Sequence, residues 1–325
     1  MSDCCETPNP RFSKKTWTVL GIWVAVFAVS FLPFFAKLNA SFLSYLSLIW
    51  WAIILGFFIG GVVDYLVPDG FIVKYLGQRK KRSLFFAVIA GFLLSACSHG
   101  ILALAIQLYK KGASTSSVIT FLMASPWANL PVTILLFGFF GLQALWFIGA
   151  AMVIALITGA VFMLLESFGW VESNQKEISV KKYTWKLGTL SEFTKGVYRG
   201  AVSLADMVLW WILAGFLAAV VIGAYVPSHI FMQYFGPTFT GLLLTLAFAT
   251  IIEVCSEGSS PIAFEIFRQV GTLGNPFVFL MAGVATDYTE IGLIWTNIGK
   301  RAAIWLPVIA VPQIVIVGLL FNTFL

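Results

Sequence analysis

The chain has 325 residues, of which 60% are hydrophobic and only 10% charged, with a formal net charge of +6. A soluble domain carries roughly 25% charged residues, so the composition excludes a water-solvated globule and makes lipid the main solvent. The basic excess does not point to nucleic acid: it falls in short loops between apolar stretches, which is how membrane orientation is encoded.

Residues 1–16 are polar, carry Arg11, Lys14 and Lys15, and predict a cytoplasmic tail holding the vicinal pair Cys4 and Cys5. The apolar run 17–35 follows with no small-residue cleavage site, so it predicts a retained transmembrane helix rather than a signal peptide. Further apolar segments cover 45–67, 84–109, 116–137, 144–165, 204–226, 239–270, 276–298 and 302–323. About 20 such residues span a hydrocarbon core about 30 Å thick. The long polar stretch 166–203, with Glu166, Glu172, Lys181, Lys182 and Lys195, reads as a cytoplasmic linker between two halves, 45–165 and 204–325.

The halves resemble each other. Gly56, Pro68 and Gly77 match Gly215, Pro227 and Gly236 at an offset of 159 (215 minus 56, 227 minus 68, 236 minus 77). Cys97-Ser98-His99-Gly100 matches Cys255-Ser256-Glu257-Gly258, and Phe121-Leu122-Met123-Ala124 matches Phe279-Leu280-Met281-Ala282, both at 158. Register held through Gly, Pro and Cys over such a distance predicts a duplication of the kind common in transporters. Lys and Arg bias then sets orientation. If 84–109 spanned, Lys110, Lys111 and the linker would lie outside. If it enters and leaves on one face, they lie inside with Lys74, Arg79, Lys80, Lys81 and Arg82, and Lys300 and Arg301 join them, with Arg268 the exception. An odd number of crossings then separates the halves. The expected fold is an all-α polytopic membrane protein of two inverted repeats with re-entrant hairpins and broken helices, plus one extra N-terminal transmembrane helix.

Each hairpin has a predicted break, at Cys97–Gly100 and at Cys255–Pro261, where Ser260 is suited to cap the second arm and Pro261 to open it. An arm of about 13 residues rises about 20 Å, so tips entering from opposite faces meet near mid-membrane. The next segments are also interrupted, at Ser125-Pro126-Trp127-Ala128-Asn129-Leu130-Pro131 and at Gly283–Glu290. Such backbone is tolerated at depth only inside protein or facing a wet cavity.

A charge in mid-membrane costs at least ~2.5–3.5 kcal/mol. Asp64, Asp206 and Glu265 read as headgroup-level positions; Glu257, Asp287 and Glu290, at predicted breaks, read as functional and as candidates for proton coupling. Cys97 and Cys255 occupy equivalent tip positions and suit a clamp for a thiophilic centre. With His99 and Glu257 they make a Cys/His/Cys/Glu set acceptable to zinc, and soft thiolates also suit Cu(I). Ser98, Ser256, Asn129 and Asp287 complete the expected substrate site. Cys4 and Cys5 are a candidate capture site.

The motifs Cys97-Ser98-His99-Gly100, Lys111-Gly112-Ala113-Ser114, Ala124-Ser125-Pro126-Trp127-Ala128-Asn129 and Cys255-Ser256-Glu257-Gly258-Ser259-Ser260-Pro261 resemble the bacterial predicted-permease family that includes the organoarsenical efflux permeases. The resemblance covers about 45–325. It implies efflux across the bacterial inner membrane, with the paired cysteines as metalloid contacts; members are linked to trivalent arsenicals and to copper or zinc. The leading expectation is a secondary permease exporting a trivalent (organo)arsenical by proton antiport. The alternatives are a copper or zinc exporter, and an intramembrane thiol enzyme with Cys97 as nucleophile and His99 as base. No Gly-rich nucleotide loop ending in Lys-Ser/Thr occurs, and no cofactor is expected. The expected partners are the substrate and membrane lipid, with a homodimer as one possible assembly.

Overall fold

The computed structural model describes residues 13–66, 81–93, 98–110, 112–128, 130–174, 189–226, 228–252 and 256–324. Every regular element among them is helical: α1 (Lys14–Ser30), α2 (Ala36–Leu66), α3 (Lys81–Leu93), α4 (Ser98–Lys110), α5 (Thr115–Ala128), α6 (Leu130–Phe140), α7 (Ala144–Ser167), α8 (Leu190–Tyr225), α9 (Ser228–Phe235), α10 (Phe239–Ile252), α11 (Ser256–Val270), α12 (Gly274–Thr286), α13 (Tyr288–Asn297) and α14 (Lys300–Phe324). Among the described residues, Val132–Ser167, Gly274–Asn297 and Lys300–Phe324 are long and apolar enough to cross a bilayer. α1 and the start of α2 form a fourth such stretch, bent by 103°. The protein is thus a multi-pass membrane protein. The 36 residues of Val132–Ser167 would rise about 54 Å as one helix, more than one core thickness; the 3-10 turn Gly141–Gln143 divides them into α6 and α7.

The antiparallel pair α7 and α14 gives the molecule two ends. Arg301 Nη1 donates to Gly169 O (3.1 Å) at one end, Gln313 Nε2 donates to Thr158 Oγ1 (3.0 Å) midway, and the Phe147 and Phe321 rings lie 6.4 Å apart near the other. The first, basic end holds both ends of the first hairpin. Ser83, in the first turn of α3, hydrogen-bonds Ser117 at 2.8 Å, and Asn174 Nδ2 donates to Ala113 O, just past α4, at 2.9 Å. The other, amide end holds both ends of the second hairpin. Asn275 Nδ2 donates to Thr245 Oγ1 of α10 (3.0 Å) and to Gly236 O (3.3 Å), and Asn322 Nδ2 donates to Asn275 Oδ1 (2.8 Å). α11 runs straight into this corner through Gly271. So α3–α4 opens towards the basic end and α10–α11 towards the amide end. Gly112 (φ 104°) and Gly271 (φ 79°) close the two hairpins; this left-handed conformation reverses the chain and is cheap only for glycine.

The ends of the linker are put to structural use. The Glu166 carboxylate accepts from Thr115 N (3.0 Å) and Ser116 Oγ (2.8 Å), and Glu172 accepts from Arg301 N and Ala302 N, each at 3.0 Å. Each acid satisfies orphan donors and the positive dipole at a helix start, that of α5 or of α14. Asp206 does the same for α1, accepting from Ser13 N (2.6 Å) and Thr16 Oγ1 (2.8 Å). Trp23, Phe27, Phe42 and Phe216 then stack α1 against α2 and α8, with ring centroids 4.7–5.9 Å apart.

Several expectations need correction. The first helix stops at Ser30 rather than 35, because Pro33 holds Leu32 extended (ψ 141°) and starts a 3-10 turn. The second helix starts at Ala36, nine residues before 45, and α8 reaches back to Leu190 inside the expected linker, under a Thr189/Glu192 capping box. α9 was not anticipated. Ser260 and Pro261 do not open the second arm: α11 starts at Ser256 and contains Pro261. As the sixth residue of the helix, Pro261 removes one internal hydrogen bond and crowds the carbonyl one turn back. Glu265 is enclosed by protein, 1% exposed, rather than open to headgroups. Lys37 starts α2 beside the amide end, where Ser41 Oγ donates to Val220 O near the end of α8, so it joins Arg268 as an exception to the charge bias.

Candidate functional site

Among the described residues the helix is interrupted at Asp287, between α12 and α13; the other expected breaks fall at 94–97, 129 and 253–255, outside the described residues. α4 is 13 residues and α11 15 residues long, rises of about 20 and 22 Å, so the described inner ends of both helices, at Ser98 and Ser256, lie deep in the molecule.

In the first half, the last turn of α3 packs on the last turn of α5. A Cβ on Gly91 would come within 2.9 Å of Ser125 Oγ and 3.1 Å of Ala124 Cβ, so the two helices touch backbone to side chain. Ser125 is fully buried and donates to Phe121 O at 2.8 Å. Buried polar groups stand on either side of residue 129. Trp127 is 3% and Thr133 9% exposed, and neither Trp127 Nε1 nor Thr133 Oγ1 has a hydrogen-bond partner among the described residues.

In the second half, the hydroxyl of Thr250, in the last turns of α10, pairs with that of Thr286, the last residue of α12, at 2.8 Å. This bond ties the inner end of α10 to the interruption at Asp287. Both hydroxyls also bond back one turn, to Leu246 O (2.9 Å) and Ala282 O (2.7 Å). Asp287 accepts from Glu290 N at 2.9 Å and so caps α13; part of its acceptor capacity is structural. Glu290 is buried, 3% exposed, in the first turn of α13. On the other side of the second hairpin, the first turn of α11 rests on α8. A Cβ on Gly215 would lie 2.0 Å from Gly258 O. Ser259 and Ser260 follow, both buried.

Of the predicted site residues, Asp287 and Glu290 are thus placed beside the second hairpin break. Cys97, Asn129, Cys255, Cys4 and Cys5, and the side chains of Ser98, His99, Ser256 and Glu257, lie outside the described residues; the helix starts at Ser98 and Ser256 are within them. Among the described residues no group of three or more His, Cys, Asp and Glu is gathered as a metal cage. Thr250, Thr286, Trp127 and Thr133 were not anticipated. Trp127 had a legible signal, since an indole N–H in an apolar helix needs a partner. The threonine pair had none, being a contact between residues 36 apart.

A sequence model of a family described as predicted permease (ArsP_1) matches residues 34–323. The chain is similar to the UPF0718 protein YcgR of Bacillus subtilis, 23% identical over 82% of this chain and 90% of that protein. It is 25% identical, over 74% of this chain and 79% of the relative, to a Streptococcus mutans protein named as a subunit of a two-component membrane permease complex. A Mycobacterium tuberculosis protein named as a permease, Rv2963, is 26% identical over 65% of this chain and 58% of its own length. No solved structure matches.

Proposed function

Because this chain belongs to that predicted-permease family, we propose that it is a secondary exporter of a trivalent (organo)arsenical, with its substrate site at the tips of two opposed hairpins in two inverted repeats. The observation that carries this reading is that α3–α4 and α10–α11 open to opposite ends while their second arms start at Ser98 and Ser256, beside Cys97 and Cys255. Ser98 and Ser256 stand at the sequence offset of 158 (256 minus 98). Packing follows the same pairing: α3 on α5 and α10 on α12, α5 on α7 and α12 on α14, α4 on α13 and α11 on α6.

In this reading two thiols replace the two hydroxyls of methylarsenite, forming two As–S bonds and releasing two waters, with no change of oxidation state. Ser98, Ser256, Asn129, Trp127 and Thr133 supply polar contacts, and Glu257, Asp287 or Glu290 relays protons. The basic end, with Lys300 and Arg301, faces the cytoplasm of a bacterial inner membrane.

Export from everted vesicles tests this. Cys97→Ser and Cys255→Ser should each abolish methylarsenite export, whereas His99→Ala and Glu257→Gln should mainly alter its pH dependence. Wild-type rates in both Cys→Ser variants would refute the arsenical clamp. Zinc or copper transport lost equally with His99 and the cysteines would favour the metal-ion reading, since a zinc site needs all its ligands.

A further inference from the structure

One buried carboxylate lies outside the tip site. We propose that Glu265 binds the coupling proton, and that protonating it releases the second arm of the second hairpin, α11, from α2 and α8; this rests on the secondary-permease reading above. Glu265 lies nine residues along α11 from Ser256 and five from its end at Val270. It therefore stands about 13 Å from the tip, between the tip and the amide end. Three helices meet at its carboxylate. Tyr45 of α2 donates its hydroxyl to Oε2, and Gln269 of α11 donates to Oε1 at 2.6 Å. Arg268 Nη1 is 3.6 Å from Oε2, and its guanidinium lies 5.5 Å from the Tyr45 ring centroid. α8 makes room with Gly223, where a Cβ would come within 3.0 Å of the carboxyl carbon and both its oxygens.

Tyr45, Gln269 and Arg268 all point donors at this carboxylate. An ionised carboxylate only accepts, so it satisfies them together; the acid form carries a proton of its own against the same donors. Proton uptake removes the charge that all three donors share: Tyr45 can then only exchange its donated bond for an accepted one, the charge-assisted bonds from Gln269 and Arg268 weaken, and the link that holds the hairpin arm to α2 loosens. Arg268 is 44% exposed, so one side chain separates the carboxylate from the surface of the molecule. The other charged or titratable groups on helices packed against α11 stand further along their helices or in the open. α8 has the exposed Tyr225 two residues after Gly223 and Asp206 17 residues before it, with Arg199, Tyr198, Lys195 and Glu192 beyond. α2 has the exposed Lys37 eight residues before Tyr45, and Asp64 and Tyr65 nineteen and twenty after it. α9 has the exposed His229 and Tyr234, and α6 and α12 have none. On α11 itself Glu257 lies eight residues earlier. A purely structural contact here would be served at lower cost by apolar packing, because a charge at this depth must be desolvated.

Hydrogen–deuterium exchange of the full chain in liposomes tests the link without a substrate. Expressed as protection factors, which remove the intrinsic slowing of amide exchange by acid, acidification should lower the protection of α11 in the wild type while that of α14 stays unchanged. Glu265→Gln should make α11 exchange fast at alkaline and acidic pH alike. Tyr45→Phe keeps the carboxylate and removes the bond to α2; it should speed α11 exchange at alkaline pH by about five- to tenfold. The same vesicles, offered methylarsenite, should show pH-sensitive counterflow in the wild type that becomes pH-insensitive in Glu265→Gln, with loss of gradient-driven accumulation. A wild-type pH response of α11 retained in Glu265→Gln, or Tyr45→Phe exchange equal to wild type at alkaline pH, would overturn the proposal. If even the wild type fails to move methylarsenite, the function proposed above falls, and the exchange data alone decide whether Glu265 is a proton site.

Discussion

The closest backbone approach at the candidate site gives a prediction with a sign. Gly215 of α8 lies against the first turn of α11. An alanine Cβ there would be 2.0 Å from Gly258 O, 2.7 Å from its carbonyl carbon and 2.8 Å from its Cα. All three atoms are backbone, so no rotamer change relieves them. Ordinary contact begins at 3.4 Å, so α11 must withdraw by about 1.4 Å (3.4 minus 2.0). Overpacking of this kind costs about 1–3 kcal/mol, and the better helix propensity of alanine returns at most ~1 kcal/mol. The expected net loss for Gly215→Ala is about 1–2 kcal/mol, and Gly215→Val should lose more. Gly149, inside α7 with nothing within 4 Å of a Cβ, is the control: Gly149→Ala should be neutral or stabilise by up to ~1 kcal/mol. Both are read by denaturant titration or thermal melting of the purified protein in one detergent. Because the displaced turn carries Ser256 to Ser260, transport should fall further in Gly215→Ala than its stability predicts. Equal stability of Gly215→Ala and Gly149→Ala would refute the close approach of α8 and α11.

In a cysteine-free background, single cysteines at 82 and 110 should react with an impermeant thiol reagent from one face of the membrane and a cysteine at 268 from the other; labelling of 82 and 110 from opposite faces would contradict the hairpin. Glu166→Ala strips two hydrogen bonds and a favourable charge from the start of α5 and should cost about 1–2 kcal/mol in the same titration; a loss below a few tenths would show that water replaces the cap. Asn322→Ala leaves Gly274 N and Asn275 Oδ1 without their side-chain partner, which should cost about 1–3 kcal/mol, while Thr323→Ala, at an exposed hydroxyl bonded only to its own helix, should be near neutral.

Much of the helical scaffold is legible in the sequence because its causes are local. Apolar runs mark the helices, and the Asp287 region marks an interruption that the folded chain has at 286–288. The left-handed turns at Gly112 and Gly271 were not among the expectations, although such a conformation is cheap only for glycine. The start of α11 was misread because Ser-Ser-Pro is a good opening signal in isolation, and packing of Gly258 on Gly215 overrides it. What only the tertiary structure decided is where the polar side chains find partners. Glu166 and Glu172 look like solvated linker acids until Thr115 and Arg301 come to them across 51 and 129 residues. Glu265 looks like a headgroup anchor until Tyr45 arrives from 220 residues away. Hydropathy and helix propensity sum over neighbours in the chain. A buried carboxylate is decided by donors that only folding brings within hydrogen-bond reach, and no local pattern records which they are.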